Sequence, residues 1–112
     1  MIMRGTILIF EPRVVEPSVV TLNRAPLLDE LRNAVHGDLE AVPYFNSIAY
    51  GGVVFDCVAF CNEHGKLNGA EHNIAATLLW QRSQARARVD VRDMLVGPVV
   101  VLFGDREFRE SL

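Results

Sequence analysis

Between Asn62 and Asn68 the chain sets an amide, a carboxylate, an imidazole, an ammonium and a second amide almost side by side. Gly65 and Gly69 punctuate the stretch with backbone that residues bearing a Cβ resist. On such a turn Asn62, Glu63, Lys66 and Asn68 can converge on one ligand, with the N–H groups around Gly65 holding an anion. The competing reading is a self-contained turn, in which Asn62 bonds its own backbone and Glu63 pairs with Lys66.

Glu63 with His64 and His72 would form a general acid–base set, but hydrolysis also needs a nucleophile or a metal. The nearest hydroxyl beyond the turn is Thr77. Neighbours on extended chain point apart, which argues against a Glu63–His64 partnership. Cys57, Cys61, His64 and His72 are metal ligands by type, yet their spacing matches no closed zinc pattern. The residues therefore favour binding over turnover, with no metal and no cofactor.

Arg82, Arg86, Arg88 and Arg92 follow Trp80, a combination suited to phosphate contacts and base stacking. A basic helix end in solvent has the same composition. Asp90 and Asp93 partly neutralise the group, which disfavours a long polymer. Tyr44, Phe45 and Tyr50 flank a loop and give only a weak pocket signal.

The elements that must position these groups can be read in order. Thr6 to Phe10 is a continuous apolar run, a buried strand. Val14 to Leu22, broken by Pro17, is an edge strand or extended arm. Ala25 to Val35 has the Leu27, Leu28, Leu31, Val35 spacing of an amphipathic helix, with Asn23 as N-cap, Pro26 in the first turn and Gly37 as left-handed C-cap. Leu39 to Phe45 is a strand with an edge or bulge at Pro43. Asn46 to Gly52 is a loop, and Val53 to Cys61 a strand returning from it as a hairpin. Glu71 to about Arg86 is a second helix, with Ile74, Leu78 and Trp80 as its apolar spacing. Met94 to Phe103, the most apolar strand, runs through the sheet centre. The sum is α+β: a single compact domain, a mixed sheet of about five strands with two helices on one face.

The chain has 112 residues, half of them apolar, enough for one core. Its net charge of −3 makes duplex nucleic acid an unlikely partner. No apolar run is long enough to span a bilayer, and Met-Ile-Met-Arg-Gly lacks the pattern of a signal peptide. The expected location is cytoplasmic and membrane-free. Cys57 and Cys61 are four residues apart on one strand, roughly 13 Å, too far to bridge. The large apolar fraction leaves room for a homodimer interface.

Three pieces carry a family resemblance: Leu31-x-x-x-Val35-His36-Gly37-x-Leu39-Glu40-x-Val42-Pro43, then Cys61-Asn62-Glu63-x-Gly65-Lys66-Leu67-x-Gly69, then Val96-Gly97-Pro98-Val99-Val100-Val101. Asn73 and Ala76-Thr77 also fit. Over roughly residues 28–108 the chain resembles an uncharacterised family, domain of unknown function 3846. Two departures are His36-Gly37 in place of paired glycines and Ala70-Glu71 in place of Leu-Pro. The resemblance implies an accessory protein of a phage, plasmid or other mobile element.

Residues and resemblance together describe a small non-enzymatic binding protein for a nucleotide-like ligand; the mobile-element setting that the resemblance implies adds the expectation of a host-defence antagonist. Its ligand-binding set would be Asn62, Glu63, Gly65, Lys66, Asn68, Asn73 and Arg82. The alternatives are a module that blocks or recruits a host protein, and a small enzyme using Glu63 and His72.

Overall fold

Valine-rich β6 (Val99–Gly104) lies at the middle of the sheet in a computed structural model that describes residues 3–112. Met1 and Ile2, where the reading of the chain start begins, lie outside the described residues. On one side β6 pairs with β1 (Gly5–Phe10), which pairs with β2 (Ser18–Leu22) at the edge. On the other it pairs with β5 (Val53–Asn62). The far edge of β5 is shared by two short strands, β3 (Leu39–Ala41) and β4 (Ser47–Tyr50).

Alternation along β1 and β6 divides the core in two. Leu8, Phe10, Val99, Val101 and Phe103 face one way and pack with Ala76 and Trp80 of α2 (Ile74–Arg86). Ile7, Val100 and Leu102 face the other way, against Leu31 and Val35 of α1 (Leu28–Val35) and Phe108 of α3 (Arg106–Arg109).

The α+β class and the central last strand stand as read. The sheet, however, has six strands, every pair is antiparallel, and the helices cover opposite faces. The uninterrupted apolar runs of β1 and β6 carry the reason, because a strand buried on both faces shows no polar alternation.

Four local expectations also change. Helix α1 starts at Leu28 with Leu27 at its N-cap, so Asn23 and Pro26 precede it. The left-handed residue at its C-terminus is His36, with φ 63°, not Gly37. Ile74 and Leu78 are 62% and 49% exposed, and α2 instead buries Ala76, Thr77, Trp80, Ser83 and Gln84. The expected loop before Gly51 contains β4, and Gly51-Gly52, both at positive φ, makes the hairpin turn.

Between β3 and β4 the chain bulges at Pro43 to Phe45, flanked by Val42 N–H to Ala59 (2.9 Å) and Cys57 N–H to the Asn46 carbonyl (3.0 Å). Helix α2 satisfies the bulge. Trp80 Nε1–H donates to the Pro43 carbonyl at 2.7 Å and Ser83 Oγ–H to the Tyr44 carbonyl at 2.7 Å. The bulge is thus pinned over the sheet by the same helix that covers it. No helix among the described residues is long and apolar enough to cross a membrane.

Candidate functional site

Where β5 ends, its last residue clamps two elements together. Asn62 Nδ2–H donates to the carbonyls of Val35 and His36 at 3.1 and 3.0 Å, and Asn62 Oδ1 accepts from His64 N–H at 2.8 Å. A Cβ on Gly37 would lie 2.6 Å from Asn62 Nδ2, so this close approach selects glycine there. All three partners are protein backbone, and Asn62 is occupied as a structural clamp.

The turn that follows is held by its own backbone. Gly65 N–H bonds the Asn62 carbonyl, Asn68 N–H that of His64, Gly69 N–H that of Lys66, and Glu63 N–H reaches the Asp38 carbonyl. Gly65 is buried against Val96, whose Cγ2 would lie 3.2 Å from an added Cβ. These four donors are spent inside the fold and are not open to an anion.

Lys66 and Glu63 line a cleft of about 210 Å³ between the turn, β3, α2 and the segment before β6. Val42, Pro43, Trp80, Val91, Leu95 and Val96 supply apolar wall; Leu67 and Met94 lie at the surface, 86% and 47% exposed. Its charged groups are Glu40, Glu63, Asp93 and Lys66. Lys66 Nζ pairs with Asp93 Oδ1 at 2.5 Å rather than with Glu63. The ammonium and the Met94 N–H together hold the Asp93 carboxyl below its usual range. Three carboxylates thus meet one ammonium that is already paired, and the cleft carries an excess of negative charge.

The remaining expected residues lie elsewhere. Asn73 is fully buried at the N-cap of α2, where Nδ2–H donates to the Phe10 and Gly97 carbonyls at 2.8 and 2.9 Å and Oδ1 accepts from Ala76 N–H. With every polar atom of its side chain engaged, Asn73 is a structural cap, not a ligand contact. Asn68 and Arg82 are exposed and form no part of the cleft wall.

Two of the arginines are already engaged. Arg86 Nε–H donates to Ser47 Oγ at 2.7 Å, and Arg92 pairs with Asp90 at 3.3 Å. Trp80 is 2% exposed, so its ring is core and cleft wall, not a platform for stacked bases. Of the acid–base candidates, Glu63 and His64 do approach to 3.9 Å because the chain turns there, but both are exposed and share no hydrogen bond. The Thr77 hydroxyl is buried, donating to the Asn73 carbonyl and accepting from Leu95 N–H. With its proton given to a backbone carbonyl and its oxygen buried, it has no base beside it to make it a nucleophile.

Cys57 and Cys61 are free thiols on the same face, as spacing required. Burial pushes them up to about 12 and about 11 respectively, the opposite of an activated nucleophile. Among the described residues, no group of three His, Cys, Asp or Glu could hold a metal ion.

Glu40 and Asp93 are charged cleft residues that sequence reasoning named only in other settings, Glu40 in the family motif and Asp93 as a neutraliser of the arginines. Glu40 sits on a strand opposite Cys61, and Asp93 in the segment before β6. Nothing in local spacing joins them to Glu63. The β3–β5 pairing sets Glu40 beside the turn, while Asn73 N–H to the Leu95 carbonyl (2.8 Å), Leu95 N–H to Thr77 Oγ1 (3.0 Å) and Gly97 N–H to the Glu71 carbonyl (2.7 Å) draw in the segment that carries Asp93.

A family model described as "Domain of unknown function (DUF3846)" matches residues 3–111. No curated protein and no solved structure matches the chain.

Proposed function

The chain belongs to the family of domain of unknown function DUF3846, and on that premise we propose that it is a small non-enzymatic binding protein whose ligand enters the cleft at the end of β5. The observation that carries this reading is the pairing of apolar walls with a rim of unbalanced carboxylates. Sites that enclose a drug-sized ligand run to roughly 300–1,000 Å³, so this cleft suits one ring or one side chain. Glu40 and Glu63 favour a ligand with a positive charge or hydrogen-bond donors, and disfavour a phosphate. A nucleotide-like ligand fits this cleft through its base, with any phosphate kept outside. The accessory role in a mobile element that the family resemblance implies is compatible with such a binder.

The test is a thermal-shift comparison of benzylammonium, adenosine and adenosine monophosphate. A ligand at ~100 times its dissociation constant adds about 2.7 kcal/mol of stability. Benzylammonium and adenosine should shift the transition, the monophosphate less, and a Glu40→Gln/Glu63→Gln protein not at all. Equal shifts in that double variant, or none with any probe, would remove the cleft as the site. Consumption of a probe would revive the enzymatic reading.

A further inference from the structure

The two edges of the sheet are built differently. The β3/β4 edge is made of two short strands, interrupted by the bulge at Pro43 and carrying Glu40. Such features keep an edge from pairing with another chain. Edge strand β2 has none of them across Ser18-Val19-Val20-Thr21-Leu22. It contains no charge and no proline, pairs only with β1, and leaves Val19 and Val20 49% and 38% exposed.

We propose that β2 pairs antiparallel with β2 of a second copy of this chain, joining two sheets edge to edge about a two-fold axis at Val20. Opposed residues in an antiparallel ladder either both bond across it or both do not. A strand meeting its own copy must therefore match residues of equal parity, which centres the register on a residue. Centring on Val20 is the one choice that pairs all five positions: Val20 with the partner's Val20, Val19 with the partner's Thr21, Ser18 with the partner's Leu22. Three of the five resulting contacts join β-branched side chains, which favour such cross-strand pairs.

Charge selects the same arrangement. Glu16 precedes the strand by two residues and Arg24 follows it by two. The Val20-centred register brings the end of each strand that Glu16 precedes to the end that the partner's Arg24 follows, whereas a parallel pairing would bring like ends together. Arg24 already bonds the Ala25 carbonyl and both oxygens of Glu30. A guanidinium has five N–H donors, so two remain for the partner. The cleft lies by β3 and β5, across the sheet from β2, so the dimer leaves both clefts open.

Sedimentation equilibrium over a concentration series tests the pairing. The wild type should approach twice 12.5 kDa, and Val20→Lys, which sets two ammonium groups together on the axis, should return it to a single protomer. Val53→Lys, at a residue 52% exposed elsewhere on the surface, should leave the dimer intact. Under mild oxidation Val20→Cys should cross-link to its copy and Ser18→Cys should not. A protomer mass at every concentration, a dimer that survives Val20→Lys, or cross-linking through Ser18→Cys in place of Val20→Cys would each overturn the proposal.

Discussion

The side-chain amide of Asn73 donates to the carbonyl of Phe10, 63 residues earlier, at 2.8 Å, and to that of Gly97 at 2.9 Å. One buried residue thereby ties the end of β1, the approach to β6 and the first turn of α2. Replacing Asn73 by alanine strands two buried carbonyls and uncaps the helix, which should cost about 2–4 kcal/mol. Urea unfolding measures this; a loss under ~0.5 kcal/mol would show that the three-way tie contributes little. Benzylammonium affinity of the protein that remains folded should be unchanged, because Asn73 does not reach the cleft.

Trp80 links packing to the bulge. Trp80→Phe keeps much of the apolar volume but leaves the Pro43 carbonyl without its 2.7 Å donor. Because this bond is only part-buried and water can reach the freed carbonyl, a loss of about 0.5–1.5 kcal/mol is expected. Since Pro43 also lines the cleft, the same variant should weaken probe binding.

The Lys66–Asp93 pair is about half exposed on both sides, so breaking it should change stability by less than ~1 kcal/mol. Its effect on binding should be larger and of opposite sign at the two residues. Lys66→Met removes the cleft's one ammonium and should tighten benzylammonium binding by about fivefold, while Asp93→Asn should loosen it by a similar factor, from an interaction of ~1 kcal/mol at high effective dielectric. Calorimetric titration reads both. Weaker benzylammonium binding in Lys66→Met would mean that the carboxylates do not set the charge preference of the cleft.

Glu30 sits in the first turn of α1 and accepts from Leu27 N–H and from Arg24. The Arg24 bond, then the Leu27 bond, lower its carboxyl from 4.5 to about 2. A depressed carboxylate stabilises the fold above its unfolded pKa, and that contribution is lost as pH falls through the folded value. The loss attributable to Glu30 should therefore occur between about pH 4.5 and 2. Glu30→Gln should be less stable than wild type at pH 7 and should lose less on acidification through that window. Parallel acid titrations of the two proteins would refute this.

The two thiols give a check on the core. Cys57 is 4% exposed and its thiol is pushed up to about 12. Ellman's reagent at pH 8 should label Cys61 slowly and Cys57 only on unfolding. Rapid labelling of both in the native protein would contradict the packing beneath β4.

Sequence alone determined what depends on local chain chemistry. Continuous apolar runs fixed β1 and the central place of β6, because only a strand covered on both faces tolerates so many valines. Pro43 marked the bulge, and the four-residue spacing of Cys57 and Cys61 put both thiols on one face without a bridge. Helix α1 was legible through Leu31 and Val35, though its start moved to Leu28 because the Glu30–Leu27 N–H contact, not an Asn23 cap, satisfies it. Tertiary structure decided everything that rests on contacts distant in the chain. It turned Asn62 and Asn73 from candidate ligand contacts into clamps, since their partners at Val35, Phe10 and Gly97 are invisible to local pattern. It exposed Ile74 and Leu78 and buried Ser83 and Gln84, because hydrogen bonds to the bulge and to Val91 outweigh the apolar count of the helix face. It also replaced an expected anion site by a carboxylate-rimmed cleft. Lys66 met Asp93, Glu40 and Glu63 came to line the same cleft, and the charge of a site is the sum over groups that only folding brings together.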